Sequence, residues 1–396
     1  MQHPWANWIP GVLNKRQIKE LCDGKYIITE GPVRKGALGN SSLDLSLSDE
    51  GYRMVEGSVK PSTGHAYSRV LQKKRLATKA EKNDDGTYTL KARQTYLFKL
   101  RERLGEGLAN AGFYGQATAK SSVGRVDVLA RLIVDGMNTY ECFDTDQRRG
   151  SRYPKDMYLE ITPMTFDVQL KEGVYLSQLR LFYGEPKSVE VESRELFRTI
   201  LGENATDGSL SVDLRNEKIG RLPVAAFCAR KDTEYPIPLW KKRNKLSPWK
   251  YWNFVSTGRT RRFKVKNDLF YILRSSERIS VPKGIAVYCR ASDETIGEMR
   301  IHYAGFVHPL FGRKRSDSQR GTPLIFELRG HQVDVSLAHG EKMANLIFYR
   351  MSEDCQEKEK PSQYKDQGLQ LSKPFFGDWP KKLQRINEDG IVEPIL

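Results

Sequence analysis

The six residues Lys120-Ser121-Ser122-Val123-Gly124-Arg125 bring together two cations, two hydroxyls and a glycine. Such a set suits a polyphosphate. The cations neutralise it, the hydroxyls donate to its oxygens, and the glycine lets backbone amides approach. A surface turn with solvated charges would have the same composition, so the motif does not decide alone. Glu160 and Glu327 come next, in Tyr-Leu-Glu-Ile and Ile-Phe-Glu-Leu. A carboxyl desolvated inside such an apolar strand has a raised pKa, which suits proton transfer near neutral pH. A strand glutamate on the solvent face is the plainer alternative. The segment Arg300 to Gly312 holds aromatic, glycine and proline residues that fit a strand and tight turn walling a base pocket, or a plain hairpin. Its histidines His302 and His308 are not at metal-ligand spacing.

These residues sit in a duplicated frame. A shift of 173 carries Arg101 onto Arg274 and Gly124 onto Gly297. A shift of 167 carries Glu160 onto Glu327, Asp167 onto Asp334, Gly173 onto Gly340 and Leu179 onto Leu346. In that register Ala119–Arg125 matches Ser292–Glu298, so Arg125 faces a charge reversal at Glu298. Asp293, Glu294 and Thr295 stand where Lys120, Ser121 and Ser122 do. One half can hold an anion there and the other cannot, which predicts one composite site per pair of domains. The expected division is 1–186 and 187–396, each long enough for its own core.

The elements that must position the site read as mostly β. Period-two runs occur at Thr87–Leu90, Thr95–Leu100, Val126–Val134, Tyr158–Thr162, Phe166–Leu170 and Val174–Phe182. The second half repeats them at Phe263–Leu273, Ile279–Tyr288, Met299–Phe306, Leu324–Leu328, Val333–Leu337 and Ala344–Tyr349. Each half opens with a short helix. Asn14 and Gln17 predict a capping box, and Ser193 caps Glu195–Leu201; Gly24 and Gly202 end these helices. Each helix leads to a strand with an aspartate, Ser42–Leu45 and Ser211–Leu214. Many short strands with few helices imply a jelly roll, sandwich or distorted barrel. Tyr183–Glu192 reads as a linker, and Ser352–Asp366 as a polar, mobile tail.

The net charge of +16 over 396 residues points to an anionic partner. Lys241–Lys266 holds ten Lys or Arg and no acid, with Trp249, Tyr251, Trp252, Phe254 and Phe263. It reads as a single-strand-binding surface or as a basic hairpin whose aromatics are core. Five scattered cysteines support neither a disulfide framework nor a zinc site. With no signal peptide and no apolar span, the expected location is cytoplasmic, away from membranes.

Together these segments resemble the dCTP deaminases of the dUTPase-like superfamily, in the duplicated two-domain form. Gly39-Asn-Ser-Ser-Leu-Asp-Leu, Ala119-Lys-Ser-Ser-Val-Gly-Arg-Val-Asp-Val, Tyr158-Leu-Glu-Ile-Thr-Pro and Gln178-Leu-Arg carry the resemblance in half one. In half two it rests on Phe270-Tyr-Ile-Leu-Arg, Gly297-Glu-Met-Arg-Ile-His-Tyr-Ala-Gly-Phe and Gly368-Leu-Gln-Leu-Ser-Lys. The resemblance implies two tandem distorted jelly-roll barrels. It implies a triphosphate held by Lys120, Ser121, Ser122 and Arg125, with Tyr364 and Gln367 in a closing tail. Tyr303, Ala304, Gly305, Phe306, His308 and Phe326 would wall the base and sugar. Glu327, with Glu160 as runner-up, would shuttle protons while Ser121 orients water.

The implied reaction is hydrolytic deamination of dCTP without zinc. Zinc deaminases combine H-x-E with P-C-x-x-C, and the chain is read as lacking that set. Mg²⁺ would be held by the triphosphate. A homo-oligomer is expected, and nucleic acid is the less favoured partner. Cleavage to dUMP and pyrophosphate, and a non-catalytic binding protein, are the alternatives. The chain departs from the family in His308-Pro309-Leu310-Phe311, where Asp-Pro-Gly-Phe is usual. It also has Phe306 and Gln363 where single-domain members carry Arg and Lys.

Overall fold

The computed structural model describes residues 3–146, 153–220, 222–240, 246–292, 299–302, 305–313, 321–356, 368–375 and 390–392. Both opening helices form where their caps predict. In α1 (Lys15–Asp23) the Gln17 amide donates to Asn14 Oδ1 and the Asn14 amide donates to Gln17 Oε1, each at 3.0 Å. This satisfies two N–H groups that the helix leaves without partners. Between them α2 is a single turn at Ser121–Gly124, inside the phosphate motif. In α3 (Arg194–Leu201) the Leu196 amide donates to Ser193 Oγ at 3.1 Å, and Gly202 ends the helix at φ +109°.

The strands that build half one are β1 (Leu43–Met54), β2 (Tyr96–Leu104), β3 (Phe113–Ala119), β4 (Val128–Val134), β5 (Lys155–Pro163) and β6 (Tyr175–Tyr183). Their order is β4-β5-β2-β1-β6-β3. Half two uses β7 (Ser209–Asp213), β8 (Phe270–Ile279), β9 (Ile285–Ala291), β10 (Met299–His302), β11 (Gly305–Val307), β12 (Thr322–Gly330) and β13 (Lys342–Arg350). There β10-β12-β8-β7-β13-β9 follow one another in the same way. The fold is mainly β, in two barrel-like halves. Two expected runs break. Phe263–Leu273 splits into Arg262–Val265 and β8 because the chain turns at Asp268, at φ +52°. Met299–Phe306 splits into β10 and β11.

The strand ladders correct the sequence register of the repeat in three places. Gln178 and Asn345 are equivalent, and they face Asp44 and Ser209 respectively. The counterpart of Asp44 is thus Ser209, not Asp213. Ser46 and Ser211 match instead, and each gives its amide and hydroxyl to one carboxylate, Glu102 or Glu277. Leu97 and Ile272 face the two equivalent glutamates, an offset of 175, which places Ser276 rather than Arg274 opposite Arg101. Finally, Thr118 and Arg290 face Gln178 and Asn345, an offset of 172. Arg131 and His302 face Glu160 and Glu327, an offset of 171. The counterpart of Arg125 therefore falls at 296 or 297, ahead of Glu298. Residues 293–298, with Asp293, Glu294, Thr295 and Glu298, lie outside the described residues. No Lys or Arg occurs from Ser292 to Gly297, so the asymmetry of charge survives the new register.

The halves are fused rather than strung together. Val168–Leu170 of half one pairs in parallel with Ile237–Pro238 of half two. One continuous core joins Leu45, Phe98 and Val168 to Phe227, Trp252 and Phe270. The expected linker is packed, with Val189 buried and Glu190 bridged to Tyr349. The start of the expected mobile tail also has firm contacts. Gln17 donates to Ser352 Oγ at 2.8 Å, and Arg16 pairs with Glu353. Residues 357–366 lie outside the described part.

Candidate active site

The site is built where β12 of half two meets α2 of half one. Along β12 the side chains alternate. Leu324, Phe326 and Leu328 enter the core of half two, while Ile325 packs against the core shared with half one. Glu327 and Arg329 follow Ile325 at two-residue steps, so they share the face toward half one. This overturns the placement of Phe326 in the base pocket: its ring fills the half-two core and is 1% exposed.

Glu327 is 5% exposed, and no described residue donates a hydrogen bond to its carboxyl. Burial pushes its pKa up to about 8; Arg125 opposes this and Asp127 adds to it. Both charges belong to half one. Cys289 on β9 is also within electrostatic reach, and its thiol is pushed up to about 12 by burial and by Glu327. A carboxyl in this state is protonated or ionised near neutral pH at little cost, as a proton carrier requires.

The residues of the proposed phosphate set lie on and beside α2, with Lys120 just before it and Arg125 just after. Arg125 is buried, and its Nε donates to Ser121 Oγ at 3.1 Å. Its Nη1 donates to the Gln370 carbonyl at 3.1 Å. Ser121 is exposed and Ser122 half-buried. Lys120 pairs with Asp44, whose carboxyl burial raises its pKa while Lys120 pulls it down. The C-terminal segment 368–375 lies directly over this helix. Ser372 Oγ donates to the Ser122 carbonyl at 2.6 Å, and Leu369, Leu371 and Phe375 are buried. Tyr364 and Gln367, placed in the closing tail, lie outside the described residues.

His308 and Phe306 form a second cluster along the seam. The ring nitrogens of His308 lie 3.1 Å from Ser41 Oγ and 3.3 Å from Gln178 Oε1. Burial, then Arg180 and Lys120, push its pKa down to about 3, so the ring is neutral. Phe306 lies under the Arg180 guanidinium at 4.0 Å. Arg180 was not anticipated as an important residue. It crosses from β6 and donates to the carbonyls of Val287 on β9 at 2.8 Å and Val307 on β11 at 3.3 Å. Gly305 faces Cys289 in the β11–β9 ladder, and it is Cys289 that lies within electrostatic reach of Glu327. Tyr303 and Ala304 lie outside the described residues. Leu310, where the family has glycine, keeps the left-handed backbone at φ +67° and packs against the cluster of Val12, Phe182 and Ala286. The turn survives the substitution at a local cost of about 1–2 kcal/mol.

Glu160, the runner-up, is 1% exposed but engaged. Arg131 Nε donates to it at 3.0 Å and the Tyr140 hydroxyl at 3.3 Å. The Arg131 guanidinium also lies 4.0 Å from the Tyr140 ring centre. The basic stretch at Lys241–Lys266 keeps exposed cations at Arg259, Arg261, Arg262 and Lys264. Its aromatics are not available for stacking. Tyr251, Trp252, Phe254 and Phe263 are buried, and Trp249 packs on Phe254 at 4.2 Å. Residues 241–245 lie outside the described part.

One H-x-E spacing does occur, at His339-Gly340-Glu341. It sits at the turn into β13, where His339 Nδ1 accepts from the Leu214 amide at 3.3 Å and Glu341 accepts from the Ala338 amide at 2.9 Å. No P-C-x-x-C accompanies it.

Two family descriptions match the chain. The N-terminal domain of 2′-deoxycytidine 5′-triphosphate deaminase matches residues 9–185, and the C-terminal domain of the same enzyme matches 189–375. The chain belongs to the dCTP deaminase family. A solved structure of 2′-deoxycytidine 5′-triphosphate deaminase from Agrobacterium tumefaciens is similar to it, with a TM-score of 0.76 and 26% identity. The match covers 88% of this chain and 99% of that one. No curated protein sequence gave a significant match.

Proposed function

We propose that this dCTP deaminase works through one composite site, with Glu327 of half two as proton carrier and Lys120, Ser121, Ser122 and Arg125 of half one holding the triphosphate. The chain is a hydrolase that deaminates dCTP, a deoxycytidine nucleotide. The observation that carries the assignment is a buried carboxyl with no hydrogen-bond donor among the described residues, facing the Arg125 helix from across the seam.

The chemistry follows from the groups present. Water adds to C4 of cytosine, and Glu327 takes the proton it loses. Glu327 delivers that proton to N3, then passes the hydroxyl proton of the C4 adduct to N4; the C4–N4 bond breaks as C4=O forms, so water and dCTP become dUTP and ammonia. The Ser121 hydroxyl already accepts from Arg125, so its own proton is free to orient the water. The Arg125 charge favours the ionised form of Glu327 when a base is needed. Mg²⁺ enters with the triphosphate as part of the substrate. Among the described residues no group of three or more His, Cys, Asp or Glu side chains is gathered for a metal. A zinc-free route, a homo-oligomer and a cytoplasmic location belong to this reading. No helix among the described residues is long and apolar enough to cross a membrane.

The test is product analysis of purified protein incubated with dCTP or dUTP and Mg²⁺. The expected result is dUTP and ammonia from dCTP, with dUTP left intact. Formation of dUMP and pyrophosphate would assign cleavage to this site. After EDTA treatment Mg²⁺ alone should restore activity; restoration only by Zn²⁺ would overturn the metal-free route.

A further inference from the structure

Two charged residues beside the site have no part in the reaction just described. Asp127 lies two residues beyond Arg125, and Arg329 two residues beyond Glu327. Half one therefore presents plus then minus across the seam, and half two presents minus then plus. The second pair is closed. Arg329 and Asp127 form an ion pair, with Asp127 fully buried and Arg329 3% exposed. Thr165 of half one completes it: its hydroxyl donates to Asp127 Oδ2 at 2.6 Å and accepts from Arg329 Nη2 at 2.7 Å. Arg329 Nη1 also reaches Asp268 Oδ1 at 3.0 Å, and Arg93 of half one pairs with that same aspartate. Asp127 holds the left-handed backbone at φ +58° directly after α2, and its carbonyl accepts from the Met164 amide at 2.8 Å. An ion pair this deep is costly to bury, and removing one partner leaves the other uncompensated.

We propose that Asp127 and Arg329 are positioning residues for the deamination: their ion pair fixes the register of β12 against α2, so that Glu327 stands opposite Arg125, and it balances the charge seen by the Glu327 carboxyl. The inference rests on Glu327 being the proton carrier. The groups facing Glu327 are Arg125 and Asp127 from half one and Cys289 from β9. Its ladder partners are Ile272 on β8 and His302 on β10. Asp127 bears on it directly, and Arg329 acts with opposite sign by neutralising Asp127. Loss of the aspartate charge leaves a less neutralised cation, which favours ionised Glu327. Loss of the arginine charge leaves a less neutralised anion, which disfavours it.

The experiment is the pH profile of kcat/KM for dCTP in wild type, Asp127→Asn, Arg329→Gln and Glu327→Gln, with thermal melting to confirm folding. The acid limb reports the free enzyme's base, and the substrate's own titrations are common to all variants. Asp127→Asn should move the acid limb to lower pH and Arg329→Gln to higher pH, each by roughly half a unit or more. Both should lower kcat more than they raise KM. Opposite shifts are not what general loosening of the fold produces. Shifts in the same direction, or none, with Glu327→Gln inactive, would overturn the clamp while leaving the proton carrier intact. An active Glu327→Gln would instead remove the reading beneath it. If Arg329→Gln does not fold, Arg329→Lys serves. It keeps the charge but loses the fork between Asp127 and Asp268, so it should hold the acid limb in place and lower kcat several-fold. An unchanged kcat in that variant overturns the proposal.

Discussion

Glu160 and Glu327 occupy the same crossing of the same three strands in the two halves, yet their surroundings are opposite. Glu160 faces Arg131 on β4, and arginine and tyrosine together hold its carboxylate. Glu327 faces His302 at the equivalent position on β10, and its carboxyl takes no hydrogen bond from a described residue. The difference lies in the neighbours rather than in the glutamate. Half one has turned the position into a neutralised internal pair. Half two keeps a desolvated carboxyl whose pKa burial pushes up to about 8. On the proposed function, duplication supplied one carboxylate for structure and one for chemistry.

Four substitutions break or sharpen this contrast. The largest effect is expected from Glu327→Gln, which keeps shape but cannot take a proton. Turnover should fall at least ~10²-fold with nucleotide binding retained. Glu160→Gln should retain turnover and melt earlier, losing about 1–3 kcal/mol through weakened bonds to Arg131 and Tyr140. Steady-state assays and melting curves on both variants check this. The contrast fails if Glu160→Gln is the inactive one.

The second effect is on stability. The Glu327 pKa is raised from 4.5 to about 8. Below pH 4.5 the carboxyl is neutral in both folded and unfolded chains. As pH rises toward 8 the unfolded chain ionises it while the folded chain keeps it protonated, so stability is lost through that window. The loss is roughly 1.4 kcal/mol per pH unit at most. Glu327→Gln removes this dependence. Its melting temperature should exceed that of the wild type by a margin that grows from pH 5 to pH 8. A margin that shrinks over this range would show the carboxyl is not held neutral.

The smallest effect separates the phosphate motif from its counterpart. Arg125→Ala should weaken binding of a non-hydrolysable dCTP analogue by about 1.5–3 kcal/mol, the value of a hydrogen bond to a charged group. Glu294→Ala, within the half-two segment that the ladders match to the motif, should leave affinity almost unchanged. Titration calorimetry should count one site per chain. Two equivalent sites, or equal losses from both substitutions, would falsify the composite arrangement.

Much of this was legible in the chain, and the parts that were not have physical reasons. Alternating runs such as Tyr158–Thr162 and Ala344–Tyr349 appear as strands because one face of each enters a core. The strand Phe113–Ala119 went unread because small residues mask its pattern. Gly115 is needed there, since a Cβ would lie 2.2 Å from the Phe143 ring. Lys120, Ser121 and Arg125 could be picked out because one short segment carries their chemistry. Asp127, Arg329 and Arg180 could not. Arg329 meets Asp127 across 202 residues of sequence, and Arg180 meets Val287 across 107. Phe326 was misplaced because adjacency to Glu327 in sequence puts it on the opposite face of a strand.

The core that runs without interruption from Leu45 to Phe270 has a consequence for mass action. A site whose parts come from separate molecules is assembled by association and comes apart on dilution. Here α2, proposed to hold the triphosphate, and the glutamate strand belong to one chain, and Val168–Leu170 is paired with Ile237–Pro238 between them. The two contributions are present in a fixed one-to-one ratio, and the tether holds them at a local concentration that bulk dilution does not change.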